Sequence, residues 1–314
     1  MNRRALIEKS VPILLDDPAT AELIVVIDGA RDGTLELLEL WAQREERLRP
    51  IWQENAGEGA ARERGVEASR RDVVVLLDDD VIPAHDLITQ HARHHAVDDV
   101  DVVLGYMPTN VPTQRRRGQV PTILYASDYE ATCRGYDAHP ETIWAHFWSG
   151  NFSIRRERAL AIGLGGKIRL GYHEDLYFGL RCHEAGLKVE FDRLALGHHQ
   201  HSRSLRKFSR EVQRSGDARA VLVKWFPRFT REIDPLSGQS AMRRRILTMS
   251  SGSLIRGITT PTLMATSWCA GVLHIWFLET NAARIMRQIE LLHAFRRRTR
   301  RLDEPRTSQG TIIR

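Results

Sequence analysis

The chain has 314 residues, 42% of them apolar, and a formal net charge of +6. That is long and apolar enough for one large domain with an appendage, and it excludes a disordered tail or a peptide module. The sequence pI near 9.5 points to anionic partners such as nucleotides, phosphorylated lipids or a membrane surface. A nucleic-acid binder is disfavoured, because no aromatic stacking surface or recognisable motif accompanies the charge.

Met1 to Asp17 has scattered charges and no long apolar core, so no secretory leader is expected. Cys133, Cys182 and Cys269 lie far apart without Cys-x-x-Cys spacing. Neither a zinc site nor a disulfide framework is signalled, which fits a reducing, cytoplasmic compartment.

Along the chain, Leu23 to Ile27 is apolar, Thr34 to Leu48 has helical spacing, and Ile51-Trp52 is apolar. Gly59 to Ala68 is helical again, Val73 to Leu77 apolar, the stretch after Pro83 helical to His95, and Val100 to Leu104 apolar. Strands alternating with helices predict an α/β fold with a doubly wound, mostly parallel sheet flanked by helices. Residues 107 to 121, with three prolines and Arg115-Arg116-Arg117, predict a loop of a length that is often functional. The segment from His173 predicts a helix that stops at Gly186, and Ser202 to Phe226 a long basic helix.

The run Val73 to Leu77 delivers Asp78, Asp79 and Asp80 where a strand covered on both faces should surface. Ligands of open sheets sit beyond such strand ends. Clustered carboxylates repel unless a cation joins them, and hard oxygen ligands suit Mg²⁺ or Mn²⁺; a solvated acidic turn is the competing reading. Asp28, at the end of an earlier strand and before Gly29, can accept a hydrogen bond from a nucleobase ring N–H, whereas Asp32 or Thr34 fits a helix cap. Arg62, on a helix opened by small residues, can reach a base or phosphate, or can be one more solvated arginine.

Ser149-Gly150-Asn151 precedes Glu174-Asp175, two acids in the first turn of a helix. Acids there suit the helix dipole, and one of them is a candidate general base if that turn faces a substrate pocket. Gly197-His198-His199-Gln200-His201 then offers an imidazole to a coordination shell begun by Asp80.

The ordered set Asp28-Gly29, Ala61-Arg62, Asp78-Asp79-Asp80, Gly150-Asn151, Glu174-Asp175 and a final histidine resembles the family 2 glycosyltransferases of the GT-A fold. The likeness runs from residue 2 to the region of residue 220. It implies that Asp28 and Arg62 contact the nucleotide base, that Asp78 lies by the ribose with Asp79 also among the nucleotide-sugar-binding residues, and that Asp80 binds Mn²⁺ or Mg²⁺. His199 best fits the metal-binding histidine by its distance from Ala195, with His198 and His201 as rivals. Gly150 and Asn151 would shape the sugar or acceptor pocket. Asp175 would deprotonate the acceptor hydroxyl, with Glu174 beside it.

The implied activity is metal-dependent, inverting transfer from a nucleotide sugar, a UDP-sugar before GDP or dTDP, to a sugar or lipid-linked acceptor. No Gln-x-x-Arg-Trp motif is present, which argues against a processive synthase. Two departures stand beside the match. One acid of the usual first aspartate pair is replaced in Ile27-Asp28-Gly29-Ala30, and Met1-Asn2-Arg3 begins where the turn after a first strand would be finishing. The expectation is therefore a sheet lacking that first strand. A nucleotidyltransferase and a non-catalytic nucleotide-sugar binder are the alternative readings.

His91 and His95, at i and i+4 with His94, Asp98 and Asp99 nearby, have a metal-capable spacing, but a solvated polar face is the favoured reading. Residues 257 to 278 carry no Asp, Glu, Lys or Arg, a length near the ~20 residues that cross a bilayer. Threonines and His274 dilute the stretch, and arginines follow it, against the positive-inside rule for a single crossing. A helix packed on the domain or a segment lying against anionic lipid at the inner membrane face is expected instead. The expected organisation is a transferase domain over 1–226, a helical extension over 227–302 and a disordered tail over 303–314.

Overall fold

The structure, a computed structural model, describes residues 3–96, 99–165, 168 and 170–304. Two compact units emerge: one of Met1–Gln114, Thr122–Arg169 and Glu174–Ser202, the other of Arg115–Pro121, Leu170–His173 and Arg203–Arg314.

The first unit opens with a helix that the scattered charges conceal, α1 (Arg4–Asp16), which buries Ile7, Val11 and Leu14 at helical spacing. β1 (Leu23–Asp28), α2 (Thr34–Ala42), β2 (Leu48–Gln53), α3 (Glu58–Ala68) and β3 (Val73–Leu77) follow. The helix expected as far as Leu48 stops at Ala42. Leu48 instead starts β2 opposite Leu23 and is buried with Ile27, Leu38 and Val11. Next come β4 (Val81–Pro83), α4 (Leu87–His95), β5 (Val102–Tyr106), α5 (Val120–Ala138), β6 (Asn151–Arg155), α6 (Arg156–Ile162), α7 (Glu174–Glu184) and β7 (Val189–His199).

The fold is mixed α/β, but the strands do not form the mostly parallel sheet expected. β1 and β2 make a parallel pair, and the other five strands lie in the order β3-β6-β5-β7-β4. Within that sheet only β5 and β7 pair in parallel, while β6 runs antiparallel between β3 and β5, and β4 antiparallel to β7. The reason is β6, which enters the sheet between two strands of like direction. Phe152 and Ile154 of β6 join Leu76, Val102, Leu104, Phe147 and Phe178 in the main core.

A buried carboxylate ties the N-terminal segment to α4. Asp17 accepts from the N–H groups of Ile88 and Thr89 at 2.8 and 3.1 Å and from the Thr89 hydroxyl at 2.6 Å. Those N–H groups have no partner within the helix, and the negative charge suits its positive end.

The second unit consists of α8 (Leu205–Trp225), α9 (Thr230–Ile233), α10 (Ala241–Ser250), α11 (Ser253–Val272) and α12 (Trp276–Asp303). It thus includes α8, which the sequence groups with the strands. α8 packs on α12 at Gly216, where a Cβ would run into the Leu291 carbonyl. The uncharged stretch over 257–278 is not one helix: it breaks between Val272 and Trp276, with His274 at a φ of 58°. Among the described residues no helix is long and apolar enough to cross a membrane. The tail from residue 305 lies outside the described residues.

Candidate active site

The site is assembled at the end of β3. A turn closed by Val81 N–H to the Asp78 carbonyl, 3.0 Å, carries the three aspartates. β4 then pairs with the end of β7 in a register that sets Val81 against His199. That pairing brings Asp80 Oδ1 to 3.4 Å from His199 Nε2, while the Gln200 N–H donates to the Asp80 carbonyl at 2.7 Å. The far nitrogen of His199, Nδ1, meets the Tyr125 hydroxyl at 3.2 Å, and His201 stacks on the Tyr125 ring at 4.1 Å. With a partner on each nitrogen the imidazole is fixed in orientation. The alternation of β7 leaves His198 outside this contact.

Arg3 supplies a cation that sequence reading missed. Its Nε lies 3.3 Å from Asp79 and its Nη2 3.0 Å from Asp80 Oδ2. Its backbone N–H donates to Asp32 Oδ2 at 3.3 Å. The other oxygen of Asp32 takes the N–H and hydroxyl of Thr34, the first residue of α2, while Gly33 holds the N-cap position. Burial pushes the Asp80 carboxyl upward, but the hydrogen bond and charge of His199 and the Arg3 guanidinium outweigh it and hold Asp80 at about 2. Burial raises Asp79 from its ordinary value, and Arg3 only partly offsets that beside the charges of Asp80 and Asp78.

Arg62 is a cross-link rather than a solvated arginine. It reaches Asp78 Oδ1 at 2.6 Å, the Ser149 hydroxyl at 2.9 Å and carbonyl at 3.1 Å, and Glu58 at 2.7 Å. Together with the Asp78 N–H to Gly150 carbonyl bond, 2.9 Å, it locks α3, the end of β3 and the start of β6 together. The Glu58 to Arg62 spacing of i and i+4 was the readable part of this cluster. Asp28 is equally engaged: it accepts from Gln53 Nε2 at 2.8 Å and from the N–H groups of Ala56 and Gly57 at 2.8 and 2.9 Å. It therefore shapes the turn that opens α3, and a nucleobase N–H would share oxygens already in use.

Asp175 and Glu174 occupy the first turn of α7. Burial pushes the Asp175 carboxyl up to about 7; the Leu176 N–H and Arg62 pull it down, and the neighbouring carboxylates Glu58 and Glu174 push it up. Further along α7, Tyr177 and Arg181 line a cavity of ≈ 380 Å³ together with Glu63, Val66 and Leu160. Gly150 is closely packed: a Cβ would stand 2.6 Å from Met107 Sδ and 2.9 Å from Asp78 Oδ2, so any side chain there would have to displace them.

Asn151 is at 0% exposure, so it shapes the site from beneath rather than lining it. Its Nδ2 donates to the Ala195 carbonyl at 2.9 Å, and its Oδ1 meets His91 Nε2 at 3.0 Å. The solvated histidine face expected on α4 is thereby overturned. His91 and His95 are buried, both contacting Ser153 Oγ, at 2.9 and 2.8 Å, because that face of α4 packs on β6. Burial lowers both to about 4, so both are neutral near pH 7. His94 bridges Glu190 and Asp192, and Asp98 lies outside the described residues. Among the described residues no group of three or more His, Cys, Asp or Glu side chains forms a ready-made metal cage.

Comparison with known proteins gives this arrangement a context. The chain is similar in fold to the mannosyltransferase PcManGT from Pyrobaculum calidifontis, solved in complex with GDP-Man and Mn²⁺, with a TM-score of 0.56 at 13% identity over 93% of this chain and 84% of that one. At that identity the likeness is one of fold, of the GT-A type. The chain belongs to glycosyl transferase family 2, whose model matches residues 1–161. It is 24% identical to the uncharacterized glycosyltransferase YfnE of Bacillus subtilis over 223 residues, 57% of each chain. Its identity to EpsH of the same organism is 27% over 191 residues, 57% of this chain and 52% of that one. The chain thus spans little more than half the length of these curated relatives.

Proposed function

We propose that the chain performs metal-dependent, inverting, non-processive transfer of a sugar from a nucleotide-sugar donor to a hydroxyl of a glycan or lipid-linked acceptor. The observation that carries this reading is the pairing of β4 with β7, which sets Asp80 beside His199 in the same unit that holds Asp78, Arg62 and Asp175. Asp80 and His199 offer one oxygen and one nitrogen donor side by side. Such a pair fits Mn²⁺ or Mg²⁺, which commonly takes one or two protein ligands and completes its shell with substrate phosphates and water. When bound, the ion supplies charge neutralisation for a departing nucleoside diphosphate.

The remaining roles belong to the chain's own side chains. Asp78, held by Arg62, faces the donor's ribose, and Asp79 extends the acidic edge next to it. Asp28 orders the turn that walls the base, and Gly150 leaves room for the sugar. Asp175, poised near neutrality, accepts the acceptor hydroxyl proton as that oxygen attacks from the face opposite the leaving group. Glu174 keeps the proton on Asp175 at the end of the step by its own negative charge. Holding both substrates in line supplies much of the rest of the rate.

Calorimetric titration with UDP and GDP, each with Mn²⁺ and with EDTA, tests this reading; the GDP arm is prompted by the GDP-Man bound in the structure of PcManGT. Binding of one nucleotide that requires Mn²⁺ and is lost in Asp80→Ala is expected. Equal binding in EDTA would remove the metal from the reading, and no binding of either nucleotide would remove the donor class.

A further inference from the structure

α11 is built the wrong way round for a helix in water. Its side chains at Leu254, Ile258, Ala265, Trp268 and Val272 form one stripe, and all of them are exposed, Leu254 at 89% and Ile258 at 73%. Its opposite face, Thr260, Ser267, Ala270 and Gly271, is buried. A surface helix normally turns its apolar stripe to the core.

What α11 buries is polar and small. Thr260 donates to Glu290 Oε1 at 2.6 Å, and Arg256 forks onto both oxygens of that carboxylate at 2.8 and 3.0 Å. Gln213 of α8 donates to Oε2 at 2.6 Å, leaving Glu290 at 0% exposure. The Ser267 hydroxyl donates to the Glu279 carbonyl at 3.2 Å, and Gly271 lets α11 approach the Glu279 carboxylate, which Arg115 meets at 2.7 Å. Small residues and hydroxyls between helices, with aliphatic side chains outward, are the packing rule of helices whose surroundings are hydrocarbon.

Two neighbouring features extend the stripe. The turn from α11 to α12 projects Leu273 and Phe277, the latter at 83% exposure. On α10, Met242, Ile246 and Met249 stand exposed at helical spacing, beside the exposed Arg243, Arg244 and Arg245. From Asp234 to Glu279 the sequence contains no acidic residue between those two.

We propose that this face of the second unit docks on an anionic lipid bilayer, lying in the interface with the α11 stripe and the Phe277 turn in the acyl region and the α10 arginines among the headgroups. An exposed apolar surface of this extent marks a contact site. The choice of occupant rests on charge. In a twofold pairing with a second copy the same patch meets itself; Arg244 already lies 4.0 Å from Asp234, but Arg243 and Arg245 would face arginines of the second copy, with no acidic residue between Asp234 and Glu279 to pair with them. A bilayer bearing anionic headgroups satisfies both the apolar stripe and the arginines. The inference stands independently of the sugar-transfer reading.

The test is flotation of the full-length protein with vesicles of phosphatidylcholine alone and of phosphatidylcholine containing about 30% phosphatidylglycerol. The protein is expected to float with the anionic vesicles and poorly with the neutral ones. Ile258→Glu combined with Phe277→Glu should cut the bound fraction by about tenfold or more. Both side chains are exposed, so circular dichroism should show an unchanged melting temperature for that variant. Arg243→Glu with Arg245→Glu should remove the preference for anionic lipid. No flotation of the unaltered protein at low salt, or equal flotation of the Ile258→Glu, Phe277→Glu variant, would overturn the proposal. So would a dimer seen by light scattering that the same two substitutions dissolve, because the face would then belong to a second copy.

Discussion

The Arg3 guanidinium stands 3.0 Å from Oδ2 of Asp80, while His199 approaches the other oxygen of that carboxylate, Oδ1, at 3.4 Å. The carboxylate proposed to bind a metal thus already has a protein cation against it. Because Arg3 is about one-third exposed, its attraction is softened by solvent, and it competes with a divalent ion rather than excluding one. Arg3→Ala should therefore tighten Mn²⁺ binding to the nucleotide-free protein by several-fold in calorimetry. Weaker binding would mean that Arg3 instead holds the aspartates in their ligating arrangement.

Asp175→Asn should leave nucleotide binding nearly unchanged and lower kcat by roughly 10²- to 10⁴-fold, the usual worth of a general base. Full transfer by this variant would sink the assignment. With Asp175 raised to about 7, kcat/KM in the unaltered protein should climb as pH rises through that value.

The same shift carries a stability consequence with a definite sign. A carboxyl raised from the ordinary 3.8 to about 7 contributes stability that is complete below pH 3.8 and is lost as pH rises through 7. The melting temperature of Asp175→Asn should accordingly exceed that of the unaltered protein above pH 7. The gap should shrink as pH falls toward 4, and a constant gap across that range would contradict the buried charge.

His91 works in the opposite direction. Its folded value of about 4 lies below the ordinary 6.5, so its contribution is present above 6.5 and is lost as pH falls toward 4. His91→Leu strands Asn151 Oδ1 and one contact of Ser153, which should cost about 1–3 kcal/mol at pH 7. It should also flatten the acid limb of the melting curve, with His95 retaining a share. An unchanged acid limb would show that His91 is not held neutral in the folded state.

Gly150→Ala places a methyl group against the flexible end of Met107 and against the Asp78 carboxylate. Met107 can yield, but Asp78 is held by Arg62, so the expected outcome is a modest loss of stability and a larger loss of nucleotide affinity. Calorimetry of binding beside thermal melting separates the two, and unaltered affinity would show that Asp78 does not face the donor.

Much of the first unit was legible because its signals are local. The unbroken run Val73 to Leu77 needs no partner to read as a doubly covered strand, and the acids that follow it surface where that strand must end. β6 was illegible for the converse reason: Asn151 and Ser153 are polar residues buried in a strand, and partners remote in sequence, the histidines of α4 and the Ala195 carbonyl, make that tolerable. Its antiparallel entry is what overturned the mostly parallel sheet. The contacts of Arg3, Ser149 and Tyr125 were not readable because their partners are remote in sequence, with no spacing rule linking them. In the second unit, the uncharged stretch was plain, but that Thr260 and Ser267 point inward while Leu254 and Ile258 of the same helix point outward is information only a fold can give.

The cysteines acquire a use from that orientation. Cys133 and Cys182 are buried, whereas Cys269 is exposed on α11, next to Trp268. A thiol-directed spin label or polarity-sensitive fluorophore added to the native protein would thus attach at one place, with no residue to engineer. Its spectrum would report on the surroundings of α11 in the unmodified sequence.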